Sequence, residues 1–203
     1  MSAHGVWQFL VTMMGSSLLE RIAAVLALLY LLLAVRRNLW CWLCALVSSV
    51  LYLIVMLQAR LLMQTLLQVF YVVMAGYGFW QWRAGRDEQG EVAPRRWPLQ
   101  RHLQVAAAVL VLSVANGALT AHWQAAQAPY LDAFVAWGSV ITTWMVTQRL
   151  IENWLYWVVV DLAGAWLYFS QGLMPTGILF LIYVGIVIHG YFVWRRSLQI
   201  PSS

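Results

Sequence analysis

Seven apolar runs of close to twenty residues divide this chain, at 18–35, 39–57, 61–82, 103–119, 130–148, 153–170 and 173–194. A helix that crosses a bilayer needs roughly 20 mainly apolar residues. In hydrocarbon the backbone must satisfy its own polar groups, which leaves helices for runs of this length. The expected class is therefore all-α, a polytopic membrane protein with seven transmembrane helices. Composition agrees: 63% of residues are hydrophobic and 9% charged, where a soluble domain carries about 25% charged. The fourth run is the least regular, with Asn116 and Gly117 near its end.

The connections are short except 83–102, which is charged, contains Pro94 and Pro98, and reads as a solvated linker. Residues 1–17 have no basic residue ahead of their short apolar run, so they read as a lead-in or interfacial helix rather than a cleaved signal. All twelve basic residues are Arg. With seven spans, Arg36, Arg37, Arg83, Arg86, Arg95, Arg96, Arg101, Arg149, Arg195 and Arg196 fall on one side, and only Arg21 and Arg60 on the other. By the positive-inside rule the crowded side is cytoplasmic. The expectation is a multi-pass bacterial inner-membrane protein with its N-terminus outside and its C-terminus in the cytoplasm.

Parts of the chain repeat. Asn38-Leu-Trp-Cys-Trp42 resembles Asn153-Trp-Leu-Tyr-Trp157, and Leu51-Tyr52 resembles Leu167-Tyr168. Tyr71, Gly78 and Trp82-Arg83 recur 112 positions later as Tyr183, Gly190 and Trp194-Arg195. Spans 1–3 thus match spans 5–7, and span 4 restores the orientation between them. This is a 3+1+3 plan with parallel repeats, as in SWEET-like transporters, whose substrate sites lie near the midplane at the repeat interface. The expected divisions are a lead-in at 1–17, a first three-helix repeat at 18–83, a cytoplasmic linker and connecting helix at 84–129, a second repeat at 130–196 and a tail at 197–203.

Polar stripes suggest what the interior binds. Gln64, Gln68 and Tyr71 share one face of span 3, and Asn153, Trp157 and Asp161 share one face of span 6. Span 5 offers Asp132, Thr142, Thr143 and Trp144. Amides beside aromatic faces suit a flat, polar, ring-bearing solute. Asp161 lies roughly 12 Å into its span. An ionisable group at that depth marks a functional site by default. Three roles are open to it: substrate partner, proton-coupling carboxylate, or structural acid. A non-transporting membrane scaffold is the competing class; convergence of Gln64, Gln68, Asn153 and Asp161 on one cavity would separate the two.

Other chemistries find little support. There is no phosphate-binding loop, nucleophile elbow or paired-His metal motif. Cys41 and Cys44 form a C-x-x-C inside an apolar run and read as buried thiols. No enzyme activity, metal or cofactor is expected. The basic linker suits anionic lipid better than nucleic acid.

The stretches LLMQTLLQVFYVVMAGYGFWQW (61–82), IENWLYWVVVDLAGAWLYFSQGL (151–173) and TGILFLIYVGIVIHGYFVWRR (176–196) resemble the PnuC family of bacterial vitamin transporters. The resemblance covers about 18–83 and 130–196. It implies the 3+1+3 plan, a homotrimer, and facilitated diffusion of nicotinamide riboside with trapping by cytoplasmic phosphorylation. Thiamine is the runner-up cargo, and riboflavin and deoxynucleosides are carried by relatives. Asn153 and Trp157 carry over as substrate-binding positions, with Gln64, Gln68 and Tyr71 as companions and Trp144 and Asp161 as further candidates.

Overall fold

The computed structural model describes residues 18–58, 62–86, 92–123 and 128–198. Seven helices account for nearly all of them: α1 (Leu18–Val35), α2 (Cys41–Gln58), α3 (Leu62–Ala84), α4 (Leu99–Trp123), α5 (Pro129–Thr147), α6 (Asn153–Ser170) and α7 (Met174–Ser197). Among the described residues there is no strand, only two isolated bridges. The expected lead-in at 1–17 lies outside the described residues.

Helix α4 is the main departure from the expected boundaries. It runs over 25 residues, beginning directly after Pro98 and continuing through Asn116 and Gly117. Thr120 Oγ1 bonds the Asn116 carbonyl at 3.0 Å, so a polar stretch is absorbed into the helix. Gly117 lies against the Tyr130 backbone, where a side chain would not fit. Two helices, over Leu99–His122 and Thr176–Ser197, are long and apolar enough by themselves to cross a membrane. Large apolar side chains lie exposed along the bundle, among them Val25 and Leu29 on α1, Val111 and Val114 on α4, and Trp166 on α6. Exposure on this scale marks a surface meant for lipid or a partner.

Chain neighbours α1–α2–α3 and α4–α5–α6–α7 pack side by side. Two further contacts tie the groups together: α3 with α5, and α1 with α7. The same end of the bundle carries the α1–α2, α3–α4 and α5–α6 connections and the C-terminus of α7. It is called the linker end below.

At the linker end, α1 and α5 stop in the same way. Arg37 and Arg149 take left-handed backbone, at φ 55° and 61°. Their amides bond the carbonyls three residues back, Ala34 at 3.0 Å and Val146 at 2.9 Å. The next amides reach five back, Asn38 to Leu33 at 2.9 Å and Leu150 to Met145 at 3.2 Å. This pattern satisfies carbonyls that a helix end leaves open. A non-glycine residue in that conformation costs about 1–2 kcal/mol. Each arginine has an offsetting bond through its side chain: Arg37 Nη1 donates to the Val92 carbonyl at 3.3 Å, and Arg149 Nη1 donates to the Gly85 carbonyl.

Most described residues of this linker are exposed, as expected of a solvated segment, and those two bonds add anchors that its charge and prolines did not suggest. The described part of the α3–α4 connection is held at both ends. Arg95 N–H donates to the Arg149 carbonyl at 2.8 Å, and Ile151 N–H donates to the Arg95 carbonyl at 3.0 Å. Val92 is buried with the core. The described part of the linker is held because its backbone polar groups find partners at the ends of both α1 and α5.

Four tryptophans form the core of the linker end. Trp42 meets Trp82 edge-on at 5.3 Å, Trp154 meets Trp194 edge-on at 5.4 Å, and Trp82 meets Trp194 at 5.8 Å. Trp82 Nε1 donates to the Val146 carbonyl at 2.9 Å, while Trp194 Nε1 donates to the Ala34 carbonyl at 3.2 Å. Each group of helices therefore clamps the end of the other group's first helix. Trp42 lies against Gly78 and Trp154 against Gly190, where a Cβ would stand 2.4 and 2.7 Å from the rings. The two sets of contacts correspond at an offset of 112 positions: Trp42 with Trp154, Gly78 with Gly190, Trp82 with Trp194 and Ala34 with Val146. This corrects the sequence alignment of Trp42 with Trp157 and of Asn38 with Asn153. By geometry Trp42 corresponds to Trp154, and Asn153 to Cys41; both of the latter are fully buried.

Candidate functional site

Helix α6 starts at Asn153 because the turn after α5 leaves Leu150 and Ile151 bonding its first amides. Asn153 is fully buried; its Nδ2 donates to the Leu150 carbonyl and its Oδ1 has no partner among the described residues. One turn further in, Trp157 is part-buried against the tryptophan core. A second turn brings Asp161, 4% exposed. The stripe thus runs inward from the linker end over roughly 12 Å.

Asp161 lies close to Tyr183 of α7, and Tyr183 lies close to Tyr52 of α2. Tyr71 of α3 lies close to Ser139 of α5 and to Tyr168 of α6. Tyr30 of α1 lies close to Tyr71, and Asp132 of α5 close to Tyr168. The interior therefore gathers phenols from both helix groups with a hydroxyl and the Asp161 carboxylate, while Asp132 is exposed at the start of α5. Such groups can donate to and accept from a polar solute while their rings cover its faces. Tyr183 was legible as the repeat partner of Tyr71. Tyr30 and Ser139 carried no signal beyond being polar groups in apolar runs.

The remaining candidates are spread more widely. Gln68 is part-buried, and the Gln64 side chain lies outside the described residues. Trp144 is 37% exposed and packs on Trp97 of the linker at 5.4 Å. It lines a cavity at the linker end that none of Gln68, Asn153, Trp157 and Asp161 reaches. A polar network that the stripes did not foretell joins α3 to α5 there. Gln148 Nε2 donates to the Tyr77 hydroxyl at 3.0 Å, and Gln81 Nε2 donates to it at 2.7 Å. Among the described residues no group of His, Cys, Asp and Glu could hold a metal ion.

Residues 17–196 match the family described as nicotinamide mononucleotide transporter. The chain belongs to that family. Members are transporters rather than enzymes, which places this chain in the membrane. It is 29% identical to the riboflavin/roseoflavin transporter RibM of Streptomyces davaonensis, over 86% of this chain and 83% of that one. It is 25% identical to the nicotinamide riboside transporter PnuC of Escherichia coli, over 92% and 89%. The crystal structure of a vitamin B3 transporter PnuC superposes with a TM-score of 0.68 at 22% identity, covering 98% of this chain and 93% of that one. The family fold and the PnuC resemblance read from the sequence thus agree.

Proposed function

We propose that the chain carries nicotinamide riboside across the inner membrane by facilitated diffusion, with cytoplasmic phosphorylation trapping the product. The family match over residues 17–196 is the observation that carries this reading. The interior supports it, since the Asn153 amide, the Tyr30, Tyr71 and Tyr183 phenols and the Trp157 indole are buried or part-buried there. Riboflavin is the second reading, favoured over thiamine by the 29% identity to a protein of that name. Titrating the purified protein with nicotinamide riboside, riboflavin and thiamine tests the choice. Nicotinamide riboside is expected to bind tightest; riboflavin binding with no response to nicotinamide riboside would move the assignment to the second reading. In liposomes without a gradient, uptake should stop at equal concentrations. Accumulation that a protonophore abolishes would make Asp161 a coupling residue instead.

The 3+1+3 parallel-repeat arrangement belongs to the same proposal, with divisions at 18–83 and 130–196. The matched turns at Arg37 and Arg149 and the reciprocal bonds of Trp82 and Trp194 support it. So does the pairing of α3 with α5 and of α1 with α7, since each joins the third helix of one group to the first of the other. The ten arginines of the linker end make that end the cytoplasmic one in this reading. Reporters fused to each terminus should then find the C-terminus inside and the N-terminus outside; two termini on one side would refute the seven crossings.

A further inference from the structure

The linker end holds a cavity of about 410 Å³ that none of Gln68, Asn153, Trp157 and Asp161 lines. Its size falls within the range of about 300–1,000 Å³ typical of small-ligand sites. Arg95, Arg96 and Arg101 line it, together with Trp97, Trp144 and Gln148, and none of its lining residues is acidic. Trp97 and Trp144 make one continuous aromatic wall, and the Arg101 guanidinium stands 5.9 Å from the Trp97 ring. The Arg95 and Arg96 side chains have no hydrogen-bond or ion-pair partner among the described residues. The Arg149 guanidinium, close to Arg95, is pushed below its ordinary value by burial and by that neighbouring charge.

The backbone fixes this arrangement. Arg95 is clamped between Arg149 and Ile151 on both its N–H and its carbonyl, which fixes the backbone from which Arg96 and Trp97 extend. The Gln148 carboxamide is likewise oriented by Tyr77. Among the described residues no acidic side chain lines the cavity, so its like charges repel one another, and an anion relieves the repulsion. Guanidinium forks match phosphate oxygens in geometry, and the indole wall offers an apolar face for whatever carries the phosphate.

We propose that this cavity binds a phosphate-bearing ligand, its phosphate on Arg95, Arg96 and Arg101 and its organic part against Trp97 and Trp144. Two sources share that chemistry: the headgroup of an acidic phospholipid and a soluble organic phosphate. The site stands apart from the cargo assignment and does not depend on which vitamin is carried.

The test uses the full chain in nanodiscs of phosphatidylcholine. In one arm phenyl phosphate is titrated by calorimetry. In the other, phosphatidylglycerol is mixed into the discs and the lipid retained by the protein is counted by native mass spectrometry. Saturation at one equivalent per chain is expected in at least one arm. Phenyl phosphate binding identifies the soluble source, and retention of phosphatidylglycerol alone identifies the lipid. The double change Arg96→Gln with Arg101→Gln should weaken binding by about tenfold or more, while the same pair changed to Lys should keep most of it. Trp97→Ala provides an independent variant should the glutamine pair fold poorly. Saturation in neither arm, or binding by both the glutamine pair and Trp97→Ala as tight as the parent's, overturns the proposal. Vitamin binding is measured on the same samples and should survive these changes. A parent that binds phosphate but no vitamin counts against the cargo reading alone.

Discussion

Replacing Trp82 or Trp194 with alanine is expected to destabilise the fold by about 3 kcal/mol each, the lower end of the range for deleting a large buried aromatic. The lower end applies because unfolded helices stay in lipid, so packing is lost more than transfer from water. Both rings are fully buried, and each holds the end of a helix from the other group through its indole N–H. The phenylalanine variants separate the two contributions. They keep most of the ring and lose the bond to Val146 or Ala34, so about 0.5–1.5 kcal/mol should go. Since the rings touch at 5.8 Å, the double alanine variant should cost less than the two singles combined. Unfolding of the detergent-solubilised chain, followed by heat or denaturant, reads all of these. Single losses well under 1 kcal/mol, or strict additivity, would show that the four-tryptophan core does not clamp the two groups together.

Changing Asn153 to leucine is expected to weaken vitamin binding by about 1–3 kcal/mol, the cost of leaving a polar group of the ligand without its partner. The buried Oδ1 of Asn153 lacks a partner among the described residues, and the vitamin's polar edge would supply one. Trp157→Ala, which removes a stacking face, should cost about 0.5–2 kcal/mol in affinity. Asn153 also bonds the Leu150 carbonyl, so its variant should lose about 1 kcal/mol of stability as well, and unfolding must be measured beside binding. Trp154, on another face of the helix, suggests itself as a reference. The structure disqualifies it, since Trp154 is wedged against Gly190 and Trp194. Trp166, 71% exposed on the same helix, is the better one, and Trp166→Ala should leave binding unchanged. If Asn153→Leu and Trp157→Ala insert, fold and bind the vitamin as the parent does, the stripe serves packing and the site lies elsewhere.

What the sequence determined by itself is the set of helices and their approximate ends. The run at 153–170 coincides with α6 and the run at 18–35 with α1, because uninterrupted apolarity over a membrane's thickness leaves the backbone few alternatives. The stripe positions were legible too, since a 3.6-residue period sets which residues share a face. Tertiary structure decided the rest. Asn38-x-x-x-Trp42 and Asn153-x-x-x-Trp157 look alike as strings, yet Trp154 is the ring that occupies the place of Trp42. That choice depends on two left-handed arginines and two facing glycines, contacts that no local pattern encodes. Order in the linker was hidden for the same reason, as its anchoring bonds span 55 and 64 positions. The Arg and Trp residues that line one cavity likewise come from the linker, the start of α4 and the end of α5, and only packing could bring them together.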